Sequence, residues 1–173
     1  MLILGVVIVA FVVGRAVAGR VAGWSPPSPV AGKPYVDVVN RFLASQYHAG
    51  DGVFASGSRW YCATKFLGAS NHGAQVTVYG WAECDETKRT GDRIRMGSGD
   101  SLPVVVHLRR VAGQLRGVGL DEPGDAPMYE PDVRRMFPAD IAGWILAHPS
   151  PSDLRPLEAN IVHQARHSAS STT

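Results

Sequence analysis

The stretch YCATKFLGASNHGAQVTVYGWAEC, Tyr61 to Cys84, holds both cysteines of the chain. Two runs rich in aromatic and β-branched residues, Arg59–Leu67 and Val76–Cys84, flank Gly68–Gln75, where Gly, Ser, Asn and His are turn formers. That is the pattern of a hairpin. With Cys62 opposite Cys84, Thr64 faces Ala82 and Phe66 faces Gly80, and the turn centres on Gly73. A glycine across from an aromatic is a recurrent fit on strand pairs. In this register Trp60, Cys62, Phe66, Val76, Val78 and Cys84 share one face. Tyr61, Lys65, Gln75, Thr77 and Glu83 take the other, more polar face.

Directly opposed cysteines stand close enough for a disulfide, and the expected reading is a Cys62–Cys84 bridge. Closing such a loop contributes on the order of 3 kcal/mol in the chain-entropy description. Two buried thiols acting as small hydrophobes are the competing reading. Zinc would need two further ligands, and His72 is the nearest histidine, with no Cys-x-x-Cys or His-x-His pattern to support it. A redox couple would place Cys-x-x-Cys at a helix start, a pattern this chain lacks.

The residues before the hairpin set the expected compartment. Leu2–Val13 is an apolar run broken only by Gly5, the length of a signal-peptide core and short of the roughly 20 residues that span a bilayer. Ala16-Val17-Ala18 has the form of a cleavage site. The alternative is an uncleaved anchor over Leu2–Trp24, with Arg15 and Arg20 reaching toward one interface. A buried N-terminal strand is the blander reading. Export is expected, so residues 1–24 are assigned as signal peptide or membrane anchor, leaving the domain secreted or tethered outside the cell membrane. Residues 25–33, with Pro26, Pro27 and Pro29, then form a stiff linker.

Residues 34–167 form the expected domain. Pro34 suits a first helical turn, and Val36, Val39, Phe42 and Leu43 recur at helical spacing before Ala49-Gly50. Leu102–Arg110 and Leu115–Leu120 add a third and fourth strand around Ala112-Gly113. Asp132–Phe137 and Ala139–Ala147 are short helices divided by Pro138, and Leu154–His167 is a third that tolerates Pro156 only in its first turn. Residues 168–173 form a polar tail expected to be disordered. The fold class is α+β: a curved antiparallel sheet of about four strands, one helix packed on it, and short C-terminal helices. The order resembles cystatin-like and NTF2-like architectures, an analogy of fold that carries no function.

Composition narrows the function without naming it. Seventeen basic and 15 acidic residues leave a formal charge of +2, which gives no reason to expect nucleic acid as a partner. Gly99-Asp100-Ser101-Leu102 spells the signature of the GDSL esterases, so Ser101 is the candidate nucleophile if the chain is an enzyme. That family's serine follows an early strand and leads into a helix, and its base comes from a late Asp-x-x-His. Here Ser101 precedes a strand in mid-chain, and none of the six histidines has Asp three residues before it.

Asp121, Glu122 and Asp125, with Glu130 and Asp132, form an acidic run without the ordered spacing of a calcium loop. Arg93, Arg95, Arg109, Arg110 and Arg116 are placed to converge on one face of the third and fourth strands against an anionic partner. His163 and His167 sit four apart with no third metal ligand in view, and His107 reads as an outer-face residue.

Tyr79-Gly80-Trp81, Gly99–Val105, Glu122-Pro123-Gly124-Asp125 and Phe137-Pro138 together resemble small exported or membrane-anchored proteins of Gram-positive bacteria. The resemblance spans about Gly68 to Pro138 and implies an extracytoplasmic accessory domain, with no catalytic residue to carry over. The expectation is therefore a non-enzymatic extracytoplasmic binding domain, without cofactor or metal, for a protein or cell-envelope ligand. Its candidate contacts are Asp121, Glu122, Asp125, Arg109 and Arg116. A small serine hydrolase using Ser101 is the alternative.

Overall fold

The computed structural model describes residues 24–48, 51–54, 56–147 and 154–168. The expected signal peptide or anchor lies outside the described residues, apart from Trp24. No helix among the described residues is long and apolar enough to cross a membrane. The elements run α1 (Pro29–Ala44), β1 (Ser58–His72), β2 (Gln75–Thr90), β3 (Arg93–Val111), β4 (Gln114–Asp121), α2 (Tyr129–Met136), α3 (Ala139–Ala147) and α4 (Arg155–His167). The four strands form an open antiparallel sheet in chain order. The expected α+β class is what the chain adopts.

Cys62 pairs with Cys84, Thr64 with Ala82 and Phe66 with Gly80, as the hairpin register requires. A bulge between Phe66 and Gly68 then shifts the pairing by one residue, so the tip closes over Gly73 and Ala74 between His72 and Gln75. Gly73 has a φ of 63°, a conformation glycine adopts without strain. The second hairpin tip behaves likewise, with Ala112 and Gly113 at φ 48° and 80°, both left-handed as a tight two-residue connection demands.

α1 covers one face of the sheet. Val39 and Leu43 on the helix meet Cys62, Phe66, Val76, Val78, Ala82, Cys84, Val104, Val106 and Leu108, all buried. Gly32 brings the helix down onto Phe66, where a Cβ would stand 2.5 Å from the Phe66 Cβ, and Tyr35 stacks on the same ring at 5.9 Å. The helix starts at Pro29, four residues before the expected opening at Lys33, and Pro34 lies inside it. The cost is small because Val30, whose carbonyl loses its partner, is 77% exposed and open to water.

The opposite face departs from expectation. Instead of remaining polar, it is covered over much of its area by the C-terminal helices. Ala63, Leu67, Trp81 and Val105 pack against Val133, Phe137, Ile141, Trp144, Ile145, Leu157 and Ile161. Gln164 Nε2 donates to the Cys62 carbonyl at 2.9 Å, tying α4 to β1. Trp24, the last residue of the expected N-terminal segment, packs edge-on against Trp144 with centroids 6.1 Å apart, and residues 29–33 of the expected linker are instead the start of α1. The result is a helix–sheet–helix sandwich. Pro156 sits in the first turn of α4, and Pro138 separates α2 from α3, both as expected.

Candidate functional site

β3 is far longer than the expected strand, beginning at Arg93, and this extension builds the site. Strand alternation splits the Gly-Asp-Ser-Leu signature between the two faces of the sheet. Asp100 turns toward α1, where Tyr47 Oη donates to its Oδ2 at 3.0 Å. Ser101 turns to the other face, where its hydroxyl accepts a hydrogen bond from Trp81 Nε1 at 3.0 Å. Gly99 leaves room for the carboxylate of Asp85 across the strand pair, since a Cβ there would lie 2.0 Å from Asp85 Oδ1. Among the described residues no histidine hydrogen-bonds Ser101. Packing accounts for each residue of the motif.

Between the end of α1 and the sheet lies a cleft of about 180 Å³. Ala82, Cys84, Leu102 and Val104 form its floor, and Leu43, Gln46, Tyr47, Leu120 and Glu122 its walls. The disulfide lies at this floor: Cys62 and Cys84 are bonded at 2.04 Å with Cα atoms 4.0 Å apart, and both are buried. Tyr47 is held from behind by Trp60, whose ring stacks on it at 4.1 Å. A cleft of this size is below the range of drug-sized pockets and suits one aliphatic or side-chain-sized group.

The mouth is acidic. Burial raises the Tyr47 phenol well above its ordinary value, reinforced by its bond to Asp100 and by the charges of Asp100, Glu122 and Asp85. Glu122 keeps much of its surface in water, yet partial shelter and then Asp100 raise its carboxyl above the ordinary value. On the far side of the strand pair, burial pushes Asp85 up to about 6 and Glu83 up to about 7. Glu158 on α4 adds to both, with Asp100 also acting on Asp85 and Asp85 on Glu83. Asp85 Oδ2 is buried without a hydrogen-bond partner.

These raised acids destabilise the fold as they ionise. For Glu83 the penalty is absent below its ordinary value of 4.5 and complete above about 7, so stability is lost as pH rises between them. Glu83→Gln should therefore be more stable than the wild type at pH 8 and lose that advantage below pH 4.5. Urea titrations at the two pH values check this; an advantage independent of pH would contradict it.

Glu86 behaves oppositely. Its side chain has no solvent-exposed surface and is packed against Gly52 and Gly97. Burial alone would raise its carboxyl, but hydrogen bonds from the Ser58 hydroxyl and the backbone N–H groups of Phe54, Val53 and Ser98 outweigh that and hold it below the ordinary value. Both oxygens accept from Phe54 N, at 3.3 and 3.2 Å. Gly52 and Gly97 make room for it. Glu86 anchors the connection from α1 to β1.

Of the expected contacts, only Glu122 reaches the cleft. Asp121 turns away and pairs with His107 Nε2 at 2.7 Å, giving that histidine a specific partner. Asp125 lies in the following turn, where its carbonyl accepts from Met128 N at 2.7 Å. Arg109 and Arg116 pair directly across β3 and β4, both exposed. Arg93 and Arg95 do not join them. They pair with Thr90 and Lys88 at the other end of β3, because the strand runs unbroken between the two groups. Sequence reasoning missed Tyr47 and Asp100; the signal was the alternation of Asp100, Leu102 and Val104, continued back from the recognised strand. His163 and His167 lie on α4 with ring centroids 4.3 Å apart, and no group of three or more metal-ligating side chains occurs among the described residues.

Fold and site together define a disulfide-bridged α+β domain with a recessed, acid-rimmed cleft. No family model, curated protein or solved structure matches the chain.

Proposed function

We propose that the chain is a non-enzymatic binding domain of the cell exterior whose α1–sheet cleft takes a cationic group with an apolar stem, such as a lysine side chain or a small alkylamine. The observation that carries this is the cleft itself. An apolar floor over the disulfide ends at a mouth where Tyr47, Asp100 and Glu122 converge. An aliphatic stem would cover Ala82, Leu102 and Val104, and an ammonium would offset the burial, and then the Asp100 charge, that raise the Glu122 carboxyl. The bridge and the expected export of the chain support an extracytoplasmic setting, where disulfides persist.

Trp60 stacks on Tyr47 and supplies a built-in reporter. Titration with n-butylamine and with an acetylated lysine amide should change its fluorescence saturably. n-Butanol, which has the stem without the charge, should bind more weakly. Asp100→Asn should weaken amine binding about tenfold, the scale of one charge-assisted contact. Equal binding of butanol and butylamine, or no effect of Asp100→Asn, would remove the proposal.

A further inference from the structure

We infer that a second site, on the opposite face of the sheet from the cleft, binds a phosphate-class oxyanion. A notch of about 240 Å³ opens where the start of β1, the end of β2 and the start of β3 meet the end of α4. Arg59, Arg89, Tyr61, Thr87 and Ser168 supply its polar lining, and Ile94 and Ala165 its apolar part. Among the described residues no carboxylate lines it.

The two arginines are prepared differently. Arg89 is held in place: Nε donates to the Gly91 carbonyl at 2.9 Å and Nη1 to the Arg166 carbonyl at 3.3 Å. The Arg59 guanidinium has no hydrogen bond or ion pair among the described residues. Asp92 is 3.9 Å from Arg89 Nη2 and fully exposed, so solvent screens most of that pair, and Asp85, directly across from Tyr61 on the same face, does not line the notch. Glu86 faces the other way and is committed to the backbone N–H of Phe54.

The chemistry of the notch is that of an oxyanion site. Two guanidinium groups offer planar forks of N–H donors that match tetrahedral oxyanions. Tyr61 Oη and Ser168 Oγ are hydrogen-bonded to each other, and Ser168 Oγ can also donate to the Ala165 carbonyl at 3.5 Å; with the serine donating to Tyr61, the phenol proton is free for an anion. Strand alternation turns Lys88, Arg93 and Arg95 to the opposite face from Thr87, Arg89 and Ile94, with Lys88 and Arg95 over the Phe54 ring, so Arg59 and Arg89 are the cations of the notch. The negative end of the α4 dipole works against an anion, and Arg89 offsets it by capping the Arg166 carbonyl. An unpaired exposed guanidinium beside a fixed one, with a phenol hydroxyl opposite, can close on an oxyanion without breaking a contact of either arginine.

This site is independent of the cleft, and its test uses the full chain. One arm titrates inorganic phosphate and follows the amide resonances of Tyr61, Thr87 and Ser168. The other compares sedimentation with phosphatidylcholine vesicles with and without phosphatidylglycerol, so that attachment through the N-terminal segment cancels. Saturation by phosphate identifies a small anion, and preference for the anionic vesicles alone identifies a lipid headgroup; either supports the site. In each arm Arg59→Gln should weaken binding about tenfold. Being exposed and unpaired, it should melt as the wild type does. Arg109→Gln, at the far end of β3, should leave binding unchanged, as should Asp100→Asn in the cleft. No saturation in either arm, or equal losses in Arg59→Gln and Arg109→Gln, would overturn the inference.

Discussion

Ile161→Ala is expected to lower the free energy of unfolding by about 3 kcal/mol, the usual size for truncating a buried isoleucine. Ile161 has no exposed surface, and with Leu157 and Ala165 it forms the buried stripe of α4. That stripe packs on the second face of the sheet, where Gln164 also grips the Cys62 carbonyl. A helix that belongs to the core must leave a cavity when the side chain is cut back. The expected denaturation curve stays a single transition shifted to lower denaturant. A loss below about 1 kcal/mol would mean that α4 rides on the sheet without being part of its core.

Removing the bridge is the second large perturbation. Cys62→Ser with Cys84→Ser should lower stability by about 1–3 kcal/mol, combining restored freedom of the unfolded chain with hydroxyls placed on an apolar face. The residues are 22 apart in sequence, and tight pairing of the hairpin already restricts part of that freedom, which keeps the figure moderate. The intact protein should react with no thiol reagent, even when denatured, until it is reduced. Unchanged stability in the double variant would show that strand pairing alone fixes the hairpin. Free thiols in the denatured, unreduced protein would deny the bridge itself.

The hairpin was legible because three independent signals agreed on one register: paired cysteines, Phe66 facing Gly80, and a turn of small residues. The bulge at Leu67 was not, since a one-residue slip changes no composition and shows only in pairing. The late part of β2 and the early part of β3 were hidden by their charge. No element was assigned to Glu86–Arg95, yet Glu86 is buried by donors from a distant segment, which no local pattern announces. The covered second face was misread for a related reason. Lys65, Thr77 and Glu83 made it look polar, while Tyr61, Ala63, Leu67, Tyr79, Trp81 and Val105 supply the apolar surface that the C-terminal helices bury.

The site was legible only in part. Glu122 was a candidate for its charge, and it does reach the cleft, whereas Asp121 beside it is turned to His107 by strand alternation. Tyr47 lies just beyond α1 and is 53 residues from its partner Asp100, so only the folded chain brings them together. The Gly-Asp-Ser-Leu run drew attention to Ser101, but the residue beside it, Asp100, is the one that bonds Tyr47 of the cleft wall.

The central claim is that the α1–sheet cleft is where this domain meets its ligand. The direct measurement is a two-dimensional amide spectrum of the full chain titrated with n-butylamine. The account predicts shifts that saturate together and concentrate at Leu43, Tyr47, Ala82, Cys84, Leu102 and Leu120, with the Arg59 notch silent. Shifts scattered over the acidic surface without saturation, or centred away from these residues, would contradict it.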